Sequence, residues 1–292
     1  MKQEIRIGNH LIGDTNPCYI IAEIGINHNG NMEIAKNLIS VAKNTGCDAV
    51  KFQKRTVDIV YTAEELAKPR ENPFGETNGD LKRGLEFSLE EYRELDEFCK
   101  EVEIPWFASC WDEPSVDFIS QFPVPCYKIA SASLTDDALL RHTRATGKPI
   151  LLSTGMSTIQ EIDRAVEILG TEELVIIHTT STYPSNYDEL DLRVIHQLRK
   201  RYGVPVGYSG HETGIATSIA AVALGACVVE RHITLERSMW GSDQAASLGP
   251  SGFTQLVRDI RLVELALGSE TKRVFDREIP IMKKLRRVGC SE

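Results

Sequence analysis

The sequence predicts a single (β/α)8 barrel of the TIM type, an α/β fold in which eight parallel strands close on themselves inside a ring of helices. Three observations predict it. Short apolar runs alternate eight times with amphipathic stretches, the pattern of βα units around a parallel sheet. In "TGCDAV", "TGKPI", "YGVPV" and "LGACV" a Gly follows a helical stretch and precedes the next strand, where a helix C-cap adopts a left-handed conformation. The length of 292 residues suits one such domain, which commonly takes about 250. A doubly wound sheet is the alternative, but eight units in one chain close most economically into a barrel.

The strand candidates, in order, are 18–25 (CYIIAEIG), 48–53 (DAVKFQ), 104–110 (IPWFASC), 126–131 (CYKIAS), 149–154 (PILLST), 174–180 (LVIIHTT), 205–210 (PVGYSG) and 227–234 (CVVERHIT). Helical patterns follow each one, over 31–45, 88–102, 114–121, 136–146, 158–169, 188–201, 213–225 and 250–267. Only 54–87 breaks the rhythm. It is polar and carries Pro69, Pro73 and Gly75, so it reads as an extended loop after the second strand, and long loops in compact domains are often functional. The barrel is assigned to 1–268. The tail over 269–292 has too few apolar residues for a domain and reads as an extension packed on the barrel or on a partner subunit.

With 42% hydrophobic and 26% charged residues the chain can bury a full core. Its formal net charge of -9 argues against nucleic acid or anionic membrane as a partner but leaves a small anionic substrate open. The N-terminus shows no positive region followed by an apolar run, and nothing approaches the roughly 18 apolar residues of a membrane span, so a cytoplasmic protein is expected. The 7 cysteines (Cys18, Cys47, Cys99, Cys110, Cys126, Cys227, Cys290) are scattered and form no CxxC pair, which suits reduced packing cysteines.

A barrel carries its active site at the C-terminal strand ends, and residues of equal parity share its interior. The first strand ends in Glu23, and the second offers Lys51 and Gln53 on one face. The third ends in Ser109, the fourth carries Lys128 and Ser131, and the fifth closes with Ser153 and Thr154. The sixth closes with His178 to Ser181, the seventh puts Ser209 and His211 in phase, and the eighth puts Glu230 and His232 in phase. A lone strand-end Lys or His is commonly a satisfied structural residue; nearly every strand ending polar at one pole argues for a pocket. Two lysines among hydroxyls suit a phosphate and a carboxylate on one small ligand. His211 and His232 are a candidate pair for a divalent metal, with Glu23 or Asp243 completing a mixed N/O set that suits Mn2+, Fe2+ or Zn2+ better than Ca2+.

"IAEIGINHNGN" (21–31), "DAVKFQ" (48–53), "YKIAS" (127–131), "LLSTGMST" (151–158), "GYSGHETG" (207–214) and "VVERHITLE" (228–236) resemble the N-acetylneuraminate (sialic acid) synthase family, in the right order across the barrel. The resemblance implies a barrel that condenses phosphoenolpyruvate with an aldose to give a 2-keto-3-deoxy sugar acid and phosphate. By motif, Lys51 and Lys128 would hold phosphoenolpyruvate with Ser109, Ser131 and Ser153, and His211 and His232 would hold the metal, Mn2+ first, with Mg2+, Co2+ or Zn2+ as alternatives. Glu23 matches the acidic residue beside the reacting centre, and Asp243 the acidic residue after the eighth strand. Gln53, Tyr183 and position 181, here Ser181, match the pocket wall, and Ser209 stands two before the metal histidine. Glu230 and Arg231 read as charges supporting His232. Family habit also implies a homodimer.

Three departures bear on the acceptor. The family's Gly-acid pair after the fourth strand's serine is replaced by "SASLTDD", with Ser133 at the acid's place; position 181 is Ser where some members carry Asn. The chain stops at "KKLRRVGCSE", about where the linker to the family's C-terminal antifreeze-like domain would begin. The acceptor is therefore expected to be N-acetylmannosamine, a related hexose or a sugar phosphate. Two rival readings are a Schiff-base pyruvate aldolase with Lys128 or Lys51 as nucleophile and a non-catalytic sugar- or metal-binding barrel.

Overall fold

The computed structural model describes residues 4–288. Its centre is a closed, all-parallel barrel of eight strands: β1 (Tyr19–Gly25), β2 (Ala49–Lys54), β3 (Trp106–Cys110), β4 (Tyr127–Ile129), β5 (Ile150–Ser153), β6 (Leu174–Thr179), β7 (Val206–Gly210) and β8 (Val228–His232). Each strand pairs with the next, and β8 returns to β1 with His232 opposite Glu23. The eight following helices are α1 (Met32–Thr45), α2 (Leu89–Glu101), α3 (Glu113–Ile119), α4 (Asp137–Ala145), α5 (Ile159–Leu169), α6 (Val194–Tyr202), α7 (Ala216–Ala223) and α8 (Pro250–Leu267).

Local chemistry sets these boundaries. Asn31 caps α1 by accepting from the Ile34 amide, and Ser88 with Glu91 and Thr158 with Glu161 form capping boxes at α2 and α5. The glycines predicted to end helices, Gly46, Gly147, Gly203 and Gly225, all have φ between 69° and 96°. Strand residues are buried on both faces, as a barrel wrapped by helices requires. α6 begins later than its pattern, because a 3-10 turn at Tyr187–Glu189 and a left-handed Asp191 (φ 43°) precede it.

Two segments differ from expectation. A hairpin of Ile5–Ile7 with His10–Ile12 precedes β1 and buries Ile5, Ile7 and Ile12 against the strand starts. Three-residue strands are too short for periodicity to register. The 54–87 excursion is folded rather than extended: it holds helices Val57–Val60 and Ala63–Ala67, a hairpin of Pro69–Asn72 with Gly75–Thr77, and helix Asn78–Gly84. Pro69 opens an edge strand, Pro73 and Gly75 make its turn, and Thr77 with Asp80 caps the helix, so the residues that signal a loop here serve as turn and cap.

The six described cysteines are free and buried, and burial pushes their thiols up, so they pack rather than react; Cys290 lies outside the described residues. Beyond α8 the chain carries a short helix, Ile279–Leu285, with Phe275, Ile281 and Leu285 exposed. Among the described residues no helix is long and apolar enough to cross a membrane.

Candidate active site

At the C-terminal mouth of the barrel lies a cavity of about 220 Å³. Twelve of the thirteen predicted site residues line it: Glu23, Lys51, Gln53, Ser109, Lys128, Ser131, Ser153, Ser181, Tyr183, Ser209, His211 and His232. The thirteenth, Asp243, stands outside the lining, with its Oδ2 3.8 Å from His232 Nδ1. Strand parity gathers them. Glu23 lies opposite both His232 and Lys51, Gln53 opposite Ser109, and Ser109 opposite Lys128.

The floor is a buried charge network. Lys51 Nζ lies 2.7 Å from Glu23 Oε2 and donates to Ser109 Oγ at 3.0 Å. Lys128 Nζ donates to both oxygens of Glu230, at 2.9 and 3.0 Å, and Ser209 Oγ donates to the same carboxylate at 3.1 Å. Glu230 also stands 3.7 Å from Lys51, so it joins the two ammonium groups. Burial opposes the Glu230 charge, but Lys128 and Lys51 outweigh it and hold the carboxyl below its usual range. At Glu23 the balance falls the other way: burial raises the carboxyl despite Lys51. Gln53 Nε2 donates to Glu23 at 2.8 Å and is itself held by Arg55.

The roof is aromatic. His211 and His232 have ring centroids 5.4 Å apart, and the Tyr183 ring packs against both, at 4.1 and 5.9 Å. His211 Nδ1 faces the Thr180 carbonyl at 2.8 Å, which leaves Nε2 for a ligand. His232 Nδ1 is buried and makes no hydrogen bond. Burial, then the neighbouring His232, lowers His211 to about 3, and burial lowers His232, so both rings are neutral, the form that ligates metal. Two neutral imidazoles, one with an orphaned buried nitrogen, fit a metal bound through two protein ligands. Among the described residues no group of three or more His, Cys, Asp or Glu side chains gathers as a metal site.

Several residues take roles other than those expected. Glu230 lines the pocket itself besides standing among the charges that act on His232; its parity with His232 was the signal. Arg231 points to the other face of β8, where it pairs with Glu212 at 3.0 Å and donates to the Gly214 carbonyl and Ser218 hydroxyl. Ser133 is buried in the 3-10 turn Ser131–Ser133 and off the lining, which takes Ala132 instead. His178 turns away to the Leu190 carbonyl, and Asn27 ties the β1 loop to Ile233 and Ser247. Trp111 and Met156 line the rim, and sequence reasoning missed both.

The sequence matches the NeuB family over residues 38–272. It is 42% identical to human N-acetylneuraminate-9-phosphate synthase over 94% of this chain and 78% of that protein. It is 37% identical to N,N'-diacetyllegionaminic acid synthase of Legionella pneumophila, over 94% of this chain and 80% of that one. Among solved structures, an N-acetylneuraminic acid synthetase from Leptospira borgpetersenii in complex with citrate superposes with a TM-score of 0.85 at 31% identity, covering 99% of both chains.

Proposed function

The chain belongs to the NeuB family, and from that premise we propose that it condenses phosphoenolpyruvate with an aldose, giving a 2-keto-3-deoxy sugar acid and phosphate. The acceptor class is N-acetylmannosamine or a related hexose or sugar phosphate. The observation that carries the reading is that both lysines and both histidines face one cavity at the C-terminal mouth. Phosphate and carboxylate oxygens would be gripped by Lys51 and Lys128 with the hydroxyls of Ser109, Ser131, Ser153 and Ser181. His211 and His232 would hold a divalent cation, Mn2+ first among candidates, which when bound supplies Lewis-acid polarisation of the aldehyde oxygen.

C3 of the enolpyruvate attacks the aldehyde carbon, forming the new C–C bond. Water adds to the cation left at C2, and the intermediate loses phosphate by C–O cleavage. Of the two candidate carboxylates, Glu23 lines the cavity and Asp243 does not, which supports Glu23 as the acceptor of the water proton. Tyr183 packs over the two imidazoles and flanks one side of the cavity. The Schiff-base alternative needs a neutral amine, whereas Lys128 and Lys51 each face a carboxylate within 3 Å.

The test is phosphate release from phosphoenolpyruvate over a panel of mannose, N-acetylmannosamine, their 6-phosphates and arabinose 5-phosphate. Release that needs both substrates and is lost to a chelator supports the synthase. Borohydride trapping of a pyruvate adduct on Lys128 or Lys51, with indifference to chelators, would overturn it.

A further inference from the structure

Arg55 stands at the head of the excursion after β2, just beyond Gln53, and is buried, with 8% of its surface exposed. It is not part of the lining of the reaction cavity, yet it touches two residues that are, Gln53 and Trp111. We propose that Arg55 is a positioning residue of the reaction: by holding the Gln53 amide in one orientation it fixes the Glu23 carboxylate at the cavity wall. The proposal rests on the synthase reading above, in which Glu23 takes the water proton.

Three observations carry it. The first is the direction of the donors. A guanidinium carries N–H donors and no acceptor, so it can face only the oxygen of an amide. Arg55 Nη2 donates to Gln53 Oε1, which turns the Gln53 NH2 group the other way, and Nε2 donates to Glu23 Oε1 at 2.8 Å. Lys51 lies 2.7 Å from the second oxygen, Oε2, so the carboxylate is gripped at both ends. With Gln53 reversed, an amide oxygen would meet a carboxylate oxygen, two acceptors with no proton between them, and Glu23 would lose one of its grips. The second is the room made for this contact. β1 and β2 shift register between Glu23 and Gly25, and Gly25 has φ 55°. A Cβ on Gly25 would lie 3.0 Å from both Gln53 Nε2 and Glu23 Oε1, so the chain leaves open the space that the hydrogen bond needs.

The third is how Arg55 is itself fixed. Its Nη1 donates to Glu86 Oε1 at 3.3 Å and its backbone amide to Glu86 Oε2 at 3.1 Å, so a residue at the end of the excursion clamps one at its start. Its guanidinium also lies over the Trp111 ring, 4.6 Å from the centroid. A planar fork suits this place, since its two arms serve the carboxylate and the amide while its face rests on the indole. The folded excursion is thereby tied to the wall of the reaction cavity through one side chain.

The experiment is a double-mutant cycle on turnover of the full chain, with phosphoenolpyruvate and whichever aldose of the panel above drives phosphate release. Arg55→Met removes the donors. Arg55→Gln keeps a hydrogen-bonding group but offers both a donor and an acceptor, so it no longer dictates which way Gln53 faces. Each is expected to lower kcat about tenfold or more with KM for phosphoenolpyruvate changed less than about twofold, because the lysines and serines that grip it are untouched. In a Gln53→Met background the same substitutions are expected to cost nothing further, since the amide they orient is gone. Lys54 still pairs with Glu86 at 3.1 Å, and Arg55→Gln keeps the excursion closed even if Arg55→Met does not fold. An unchanged kcat in folded Arg55→Gln, or losses at Arg55 and Gln53 that multiply, overturns the proposal. A second readout needs no turnover: by NMR the Gln53 side-chain amide is expected to exchange with water at least about tenfold faster in Arg55→Gln than in wild type. Equal exchange overturns the positioning role whether or not the protein turns over. Failure of every aldose to drive phosphate release overturns the synthase reading, whatever the Gln53 amide does.

Discussion

Glu230 sets the charge balance of the site. Its carboxylate is the only one within hydrogen-bond reach of Lys128 among the described residues, and it also faces Lys51. Glu230→Gln leaves two buried ammonium groups short of one counter-charge, and removing one member of a buried pair costs about 3–5 kcal/mol. We expect a marked fall in melting temperature, of which phosphoenolpyruvate, an anion arriving at the same lysines, restores more than it adds to wild type. An identical ligand shift in both proteins would refute this balance. Gly155 is the second sensitive position: a Cβ there would lie 2.2 Å from Ser181 Oγ and 2.8 Å from Ser131 Oγ. Gly155→Ala is therefore expected to displace both hydroxyls and raise KM for phosphoenolpyruvate about tenfold or more, with the fold retained. His232→Ala should abolish turnover while circular dichroism stays that of the barrel; near-normal rates would remove the metal assignment. At this scale the polar strand ends were legible, because parity alone aims them inward. Partners were not, since Lys128 and Glu230 stand 102 residues apart in sequence.

At the scale of elements, the ends of β7 and β8 are locked together directly behind the two histidines. Arg231, one residue before His232, pairs with Glu212, one residue after His211, and Tyr208 also donates to Glu212, at 2.8 Å. Both charged side chains are fully buried. Arg231→Met and Glu212→Gln should each destabilise strongly, and the double variant by clearly less than their sum, with a coupling of at least about 1 kcal/mol in a double-mutant cycle. Additive losses would show that the pair is no lock. In the sequence Arg231 read as a support for His232. The period of two was available to correct that, because neighbouring strand residues face opposite sides. The eight strands were readable within a residue or two at most ends, their apolar runs being bounded by glycine and cap residues. The N-terminal hairpin was not, and the folded excursion reads as loop because its prolines and glycines act as turn formers inside short elements.

For the whole molecule, closure of β8 onto β1 is the decisive event, since it sets Glu23 beside His232 and completes the cavity. If the metal is bound by two imidazoles and not by a structural cage, its removal should leave the fold intact. Chelation is expected to abolish phosphate release with little change in melting temperature, and added Mn2+ to restore it. Loss of the barrel on chelation would instead mark the metal as structural.

By itself the sequence determined the barrel, the pole at which the cavity opens and twelve of the residues lining it. Those follow from local periodicity, punctuation and parity, which every βα unit repeats independently. Only the tertiary structure decided which carboxylate meets which lysine, and that Asp243 stands beside His232 but off the cavity lining. These are distances between segments far apart in the chain, and they acquire values only once the strands have closed and the loops have packed over the mouth.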